Sequence, residues 1–166
     1  MSTIAGTSPT TSNSLLRLSL IGGIVSGFLH FLVQQGIVFG LILRTPIISS
    51  LQFVASGAMG DAAFKGGLAT ALLGLVLDFI MITIMAGVFI FSVDRIPLLR
   101  RNVIVGSILY GFGVFIVMNL IVLPLSAAPV LPAPPLWLLI ELVLQHILLI
   151  GLPLGVLVRW TANTIQ

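Results

Sequence analysis

Four long apolar runs organise the chain, separated by short stretches rich in proline, charge or small polar residues. They cover about residues 15–43, 66–92, 102–123 and 136–158. A helix that spans a bilayer needs about 20 apolar residues, at a rise of about 1.5 Å each, and every run is long enough. A helix also satisfies its own backbone polar groups, which hydrocarbon demands. The pattern predicts an all-α polytopic membrane protein, a four-helix transmembrane bundle forming a single domain over 15–160. Residues 1–14 (MSTIAGTSPTTSNS) are small and polar and read as a disordered tail; residues 161–166 read as a short C-terminal tail. A cleaved leader fits poorly, because no basic segment precedes the first run and the run exceeds the roughly 7 to 15 residues of a leader's apolar core.

The connections carry their own signals. Arg17 and Arg44 bracket the first run, Ser14 can cap it, and Pro46 stops it continuing. The next connection (TPIISSLQFVASGAMGDAAFK) is long for a bundle and too apolar to move freely in water. Leu51, Phe53, Val54 and Met59 suggest a short interfacial helix between spans 1 and 2, with a re-entrant dip as the alternative. Asp61 and Lys65, four residues apart, are expected to form an ion pair. Pro97 breaks the chain between Arg95 and the Arg100–Arg101 pair. The last connection (PLSAAPVLPAPPL) has five prolines and no charge, and reads as a stiff, extended strap. Pro153 is expected to kink the fourth helix. Arg17, Arg95, Arg100, Arg101 and Arg159 fall on one side of the bundle, against Arg44 and Lys65 on the other. That bias puts both termini in the cytoplasm. Trp137 and Trp160 flank the fourth span as interfacial aromatics do.

Composition narrows the function classes. The chain is 58% hydrophobic and 7% charged, where a soluble domain is about 25% charged. A net charge of +3 from 7 basic and 4 acidic residues forms no basic stripe, so no nucleic-acid partner is expected. Cysteine is absent, which excludes thiol catalysis, disulfides and Cys-based metal sites. No P-loop, GxGxxG turn, GxSxG elbow or HExxH motif occurs. Four spans leave no room for a soluble catalytic domain, and an enzyme is not expected.

Small residues recur at four-residue spacing: Gly23 and Gly27, Gly36 and Gly40, Gly67, Ala71 and Gly74, Ser107 and Gly111, Gly151 and Gly155. Helices in lipid associate by close packing, which small side chains permit. These stripes are expected to pack inside the chain; the alternative is a homo-oligomer or a contact with partner membrane subunits. The lipid bilayer is the first partner.

Polar groups inside the spans carry the candidate chemistry, since each is costly in hydrocarbon and needs a reason. They are His30, Gln34 and Gln35 in the first span, Asp78 in the second, Asn119 in the third, and Glu141, Gln145 and His146 in the fourth. His30, Asp78 and His146 lie about 16 to 20 Å from the non-cytoplasmic end, near the midplane of a core about 30 Å thick. Asn119 and Glu141 lie shallower. Gly23, Gly27, His30 and Gln34 share one helix face, as do Gly67, Ala71, Gly74 and Asp78. Glu141 and His146 stand about 140° apart on a regular helix, and Tyr110 and Asn119 fall on nearly opposite faces. Such a layer can satisfy itself as a structural pair, relay protons, or pass an ion or small solute. No cofactor is required by the pattern. His30 and His146 could bind haem, and His30, Asp78 and His146 are the candidate ligands of a divalent metal.

The stretches LQFVASGAMGDAAFKGGLATALLGLVLDFIM and RIPLLRRNVIVGSILYGFGVFIVMNLIVLPLSA resemble a group of small bacterial inner-membrane proteins of unknown function. The resemblance covers about residues 51–126, with a looser match through QHILLIGLP. It implies a four-helix protein of the bacterial inner membrane and implies no activity. Relatives often carry histidine at the position of Asp78, which weakens a strict metal-ligand role there and keeps a polar one. Small tetrahelical haem proteins of the cytochrome type differ, because their paired histidines on the same helices are missing.

Overall fold

The computed structural model describes residues 12–164 and is all-helical, with no strand among the described residues. Helix α1 runs Ser12–His30 and continues in a widened, π-type coil over Phe31–Ile42. Helix α2 is Ile47–Met59, followed by a tight 3-10 turn at Gly60–Lys65. Helix α3 is Gly67–Arg95 and the short α4 is Pro97–Arg101. Helix α5 runs from Val103–Val117 through a widened turn, Met118–Val122, to Leu123–Leu125. Helix α6 starts as Leu136–Gln145, widens at His146–Gly151 and ends as Leu152–Thr164.

Four helices are long and apolar enough to cross a membrane: Asn13–Ile42, Gly67–Arg95, Val103–Leu125 and Leu136–Thr161. At the N-terminal end, helix already includes Ser12–Ser14, which the sequence reads as tail. At the other end, α6 carries the helix to Thr164, through most of the expected C-terminal tail. The remainder of both tails lies outside the described residues.

Two of the widened turns have a local cause. Proline lacks an N–H and its ring collides with the carbonyl four residues back. Met118–Val122 precedes Pro124, and His146–Gly151 precedes Pro153, so each helix opens by one register where the proline intrudes. The expected disturbance at Pro153 takes this form.

Helix α1 packs along α3 and also touches α6, α5 packs along α6, and α3 meets α5 only lightly. The main apolar core lies toward one end and gathers Ile82, Ala86, Phe89, Ile90, Val93, Val114, Ile150 and Leu154. Leu15, Leu18, Leu99, Val103 and Val158 pack against it, so Arg17, Arg100, Arg101 and Arg159 emerge at the same end. There the Arg100 guanidinium donates to the Asp94 carboxylate at 3.2 Å and to its backbone carbonyl at 3.0 Å.

Small residues set the helix spacing. A Cβ on Gly111 would sit 2.6 Å from the His146 carbonyl oxygen, and one on Gly151 would strike the Ser107 carbonyl. A Cβ on Gly23 would meet Thr83, and one on Gly27 would meet the Phe79 ring at 2.8 Å. These stripes close intrachain seams. Gly36 differs, since nothing stands within 4 Å of the place its Cβ would take.

The exterior is apolar and the polar residues face inward. Leu16, Ile24, Leu68, Leu109 and Leu120 are all more than half exposed, while Ser26, Gln34, Gln35, Asp78, Ser107 and Gln145 are buried. Helix α2 buries polar and apolar residues together, Leu51 and Ala55 among the latter. Ser50, Gln52 and Ser56 are buried against the bundle while Ile47, Ile48 and Met59 face outward. The Gln52 amide donates to the Gly67 carbonyl at 2.9 Å and to Thr70 Oγ1 at 3.2 Å. Backbones meet directly where Gly74 faces α2, because a Cβ there would overlap the Leu51 carbonyl. A short helix thus stands between the first and second spans, as expected, and its buried side combines Leu51 and Ala55 with Ser50, Gln52 and Ser56.

The expected Asp61–Lys65 ion pair is absent; both residues are exposed and neither has a charged partner. Residues 60–65 form a 3-10 turn with three residues per turn, which rotates positions i and i+4 off a common face. The proline strap is exposed, with Val130 at its crest, and is tied down where the Ala127 N–H donates to the Gly57 carbonyl at 3.0 Å.

Candidate functional site: a buried polar layer between three helices

The layer begins with one contact. His30 on α1 and Asp78 on α3 pair through Nδ1 and Oδ2 at 3.1 Å, with side chains only 12% and 7% exposed. The two helices can approach because Gly23 and Gly27 precede His30 on the face that meets Thr83 and Phe79. The shared-face reading of Gly23, Gly27, His30 and Gln34 thus matches the arrangement. A carboxylate accepts only, so the imidazole Nδ1–H donates and Nε2 remains for a second partner.

Helix α6 brings the rest. Glu141 lies near Gln34 and within electrostatic range of His30. His146 is buried and lies within electrostatic range of His30 and Asp78. Its Nδ1–H donates to the Leu142 carbonyl at 2.6 Å, one turn back on its own helix. That bond sets the tautomer, because a carbonyl can only accept, and leaves Nε2 as the exchangeable nitrogen. The Phe115 ring of α5 stands edge-on to the imidazole, 5.8 Å between centroids.

Several acceptors in and beside the layer lack a donor: Gln34 Oε1, Gln35 Oε1, Glu141 Oε2 and Gln145 Oε1. All three glutamines are buried, and an unsatisfied buried acceptor costs about 1 to 3 kcal/mol. The bundle therefore holds surplus acceptor capacity at this level. Two helix widenings fall here too: one follows His30 and contains both Gln34 and Gln35, and one begins at His146. Widened turns inside α-helices recur at functional sites.

Asn119 does not join the layer. Its Nδ2–H donates to the Phe115 carbonyl at 3.0 Å, four residues back, and its side chain is half-buried on α5. A short polar side chain in a helix can satisfy itself this way, so polarity inside a span did not imply a partner on another helix. The metal-ligand trio is not assembled either. Among the described residues, no three His, Cys, Asp or Glu side chains group closely enough to hold a metal ion. His30 gives its Nδ1 to Asp78 and His146 gives its own to a backbone carbonyl.

The sequence singled out Tyr110 only as misplaced relative to Asn119. Its hydroxyl donates to the Met85 carbonyl at 2.6 Å, and its ring meets Phe89 at 5.0 Å between centroids. It belongs to the seam between α5 and α3, below the layer.

Beside the layer, a cleft of about 290 Å³ opens on the apolar exterior between α1 and α6. Val33, Ile140, Leu144, Leu148 and Leu149 form its walls, with Trp137, Glu141 and Gln145 among its lining.

Comparison with family models, with curated proteins and with solved structures returned no match. The functional reading therefore stands on the geometry alone.

Proposed function

We propose that this chain is a transport-related or accessory protein of the bacterial inner membrane, whose buried polar layer handles protons, an ion or a small solute. The observation that carries this reading is the His30–Asp78 pair with Glu141, Gln34 and His146 in range of it, inside an otherwise apolar bundle. Two imidazoles and two carboxylates, with His30 in range of Asp78, Glu141 and His146, are groups a relay can use. The acceptors without donors at the same level favour a site that receives something over a pair that merely satisfies itself.

Placement in a bilayer is supported by the inverted distribution of polar and apolar residues, by the four long apolar helices, and by α2, whose polar face turns inward. We read α2 as embedded among the lipid-facing helices near the non-cytoplasmic end. The arginines gathered at the opposite end support cytoplasmic termini. The resemblance noted above over residues 51–126 suggests the bacterial setting.

The test is flux in proteoliposomes of the purified full-length chain, followed with an entrapped pH-sensitive dye and with radiolabelled cations. Wild-type protein should pass protons or an ion, and Asp78→Asn should slow passage at least about tenfold. Absence of any flux, together with an Asp78→Asn strain indistinguishable from wild type, would sink the reading.

A further inference from the structure

At the end of the bundle away from the polar layer, the connection between α3 and α5 folds into a cleft of about 280 Å³, lined by Asp94, Pro97, Arg100 and Arg101. Its role requires the bilayer placement proposed above, and does not require passage of anything through the layer. Pro97 opens α4 directly after α3 ends, and Arg100 folds back onto Asp94. Leu99, for which Gly106 leaves room, packs against the core and fixes α4 in place.

This cleft presents its polar atoms outward. Arg100 makes both of its bonds to Asp94 through one guanidinium nitrogen, Nη2. Its side chain is still 56% exposed, so Nε and Nη1 keep their donors for another partner. Arg101 is exposed and has no carboxylate partner among the described residues. Arg95 adjoins Asp94 in sequence and lays its guanidinium 4.4 Å from the Phe91 ring centroid, which leaves its edge N–H groups open. Three arginines against one carboxylate leave a surplus of two positive charges.

Guanidinium forks match the oxygens of a phosphate, and the surroundings choose what carries it. Leu98 is 70% exposed and Ile96 45%, on the same short segment as the arginines. A soluble phosphate would leave them in water. A phospholipid covers them with its acyl chains while its phosphodiester reaches the cleft. A zwitterionic headgroup brings its own cation to a surface already in surplus, so a headgroup of net negative charge is selected. A headgroup hydroxyl has the Asp94 carboxylate as acceptor. We propose that this cleft binds the phosphodiester of an anionic glycerophospholipid, of the phosphatidylglycerol class, with Arg100 and Arg101 as its donors.

Native mass spectrometry of the delipidated full-length chain in detergent, titrated with dioleoyl lipids, reads the site. Phosphatidylglycerol should add one saturable equivalent, at a concentration at least about tenfold below phosphatidylcholine or phosphatidylethanolamine. Arg101→Gln removes an exposed side chain that packing does not need, and should weaken that equivalent at least about tenfold, the lower end for a hydrogen bond to a charged group. Arg100→Gln should do the same. A variant with both Arg17→Gln and Arg159→Gln loses two charges at the same end, neither of them lining the cleft, and should stay within about threefold of wild type. Circular dichroism confirms native helicity in each.

The proposal is overturned if either zwitterionic lipid saturates at the same concentration, if the Arg17 and Arg159 variant loses as much as Arg101→Gln, or if both cleft variants bind like wild type. Displacement by an equal concentration of glycerophosphoglycerol, the same headgroup without acyl chains, would assign the cleft to soluble phosphates and overturn it too. Lipid binding without flux would keep this site and discard the transport reading. Proton or ion flux without lipid binding would do the reverse.

Discussion

The two ends of the bundle are built on opposite principles. Toward the arginine-rich end the core is dry, with Ala86, Phe89 and Leu154 fully buried among aliphatic side chains, methionine and the Tyr110 ring. The long middle helix is regular there, and Tyr110 finds a backbone carbonyl at 2.6 Å. Toward the other end the interior holds His30, Asp78, Gln34, Gln35, Gln145 and His146, several acceptors lack donors, and α1 widens over Phe31–Ile42. Close packing is what holds helices together where lipid removes the hydrophobic drive between them. The dry end supplies that packing, so the polar end can keep unsatisfied groups that would otherwise weaken the fold. Stability and chemistry are divided along the bundle axis.

The largest expected effect tests where the packing lies. Gly151 faces the Ser107 carbonyl, and its neighbour Gly111 faces the His146 backbone. Backbone cannot yield as a side chain end does, so Gly151→Val should separate α5 from α6, at a loss of about 3 kcal/mol or more. SDS titration of the protein in mixed micelles reads this directly. A normal titration would show that the α5–α6 seam is dispensable, and the division drawn above would fail.

Next comes the His30–Asp78 pair. His30→Ala leaves the buried Asp78 carboxyl without its partner and should destabilise by about 2 kcal/mol, within the range for hydrogen bonds to charged groups. Adding Asp78→Ala should recover part of that loss, since removing both partners leaves nothing unpaired. Simple additivity in the same titration would mean the pair is not coupled in the membrane. If the two ends are independent, Gly151→Val and His30→Ala should be close to additive with each other, because the residues share no contact.

How much of this was legible in the sequence depends on what each signal needed. Span length is a local property, so the four helices could be read from apolar runs alone. Depth and helix phase put His30 and Asp78 at one level on small-residue faces, but His146 lay at the same depth, and only the packing of α1 against α3 decides which histidine meets Asp78. Asn119 misled because a polar side chain can bond to its own helix, and composition does not reveal which it does. Helix α2 was read from its apolar residues, Leu51, Phe53, Val54 and Met59. Its buried side also holds Ser50, Gln52 and Ser56, whose part in docking α2 on α3 the apolar residues did not announce. The widened turns before Pro124 and Pro153 had a visible cause; the twelve-residue one at Phe31–Ile42 contains no proline, and no local pattern announced it.

A smaller effect tests whether α2 belongs to the bundle. Gln52 gives both of its bonds to α3 and the turn before it, to Thr70 and the Gly67 carbonyl. Gln52→Leu keeps the volume and removes the donors, for a loss of about 1 kcal/mol. Cysteine labelling at Ser49 with a membrane-impermeant maleimide should rise as α2 loosens. Unchanged labelling would mean that the Gly74 contact alone holds α2 in place.

The smallest expected effect is the most discriminating about partners. Gly36 lies in the widened part of α1, with no atom within 4 Å of where its Cβ would stand. Within one chain, Gly36→Ala meets no obstacle and removes the entropy that glycine loses on ordering, so it should stabilise α1 by about 0.5 kcal/mol. The same change at a surface shared with another helix would force two backbones apart, as it would at Gly151. The sign of the shift therefore separates the two cases. A gain in SDS resistance with unchanged oligomeric state assigns the Gly36 face to lipid. A loss, accompanied by a smaller particle in native mass spectrometry, assigns it to a second subunit, and the polar end would then be completed by an interface that one chain does not contain.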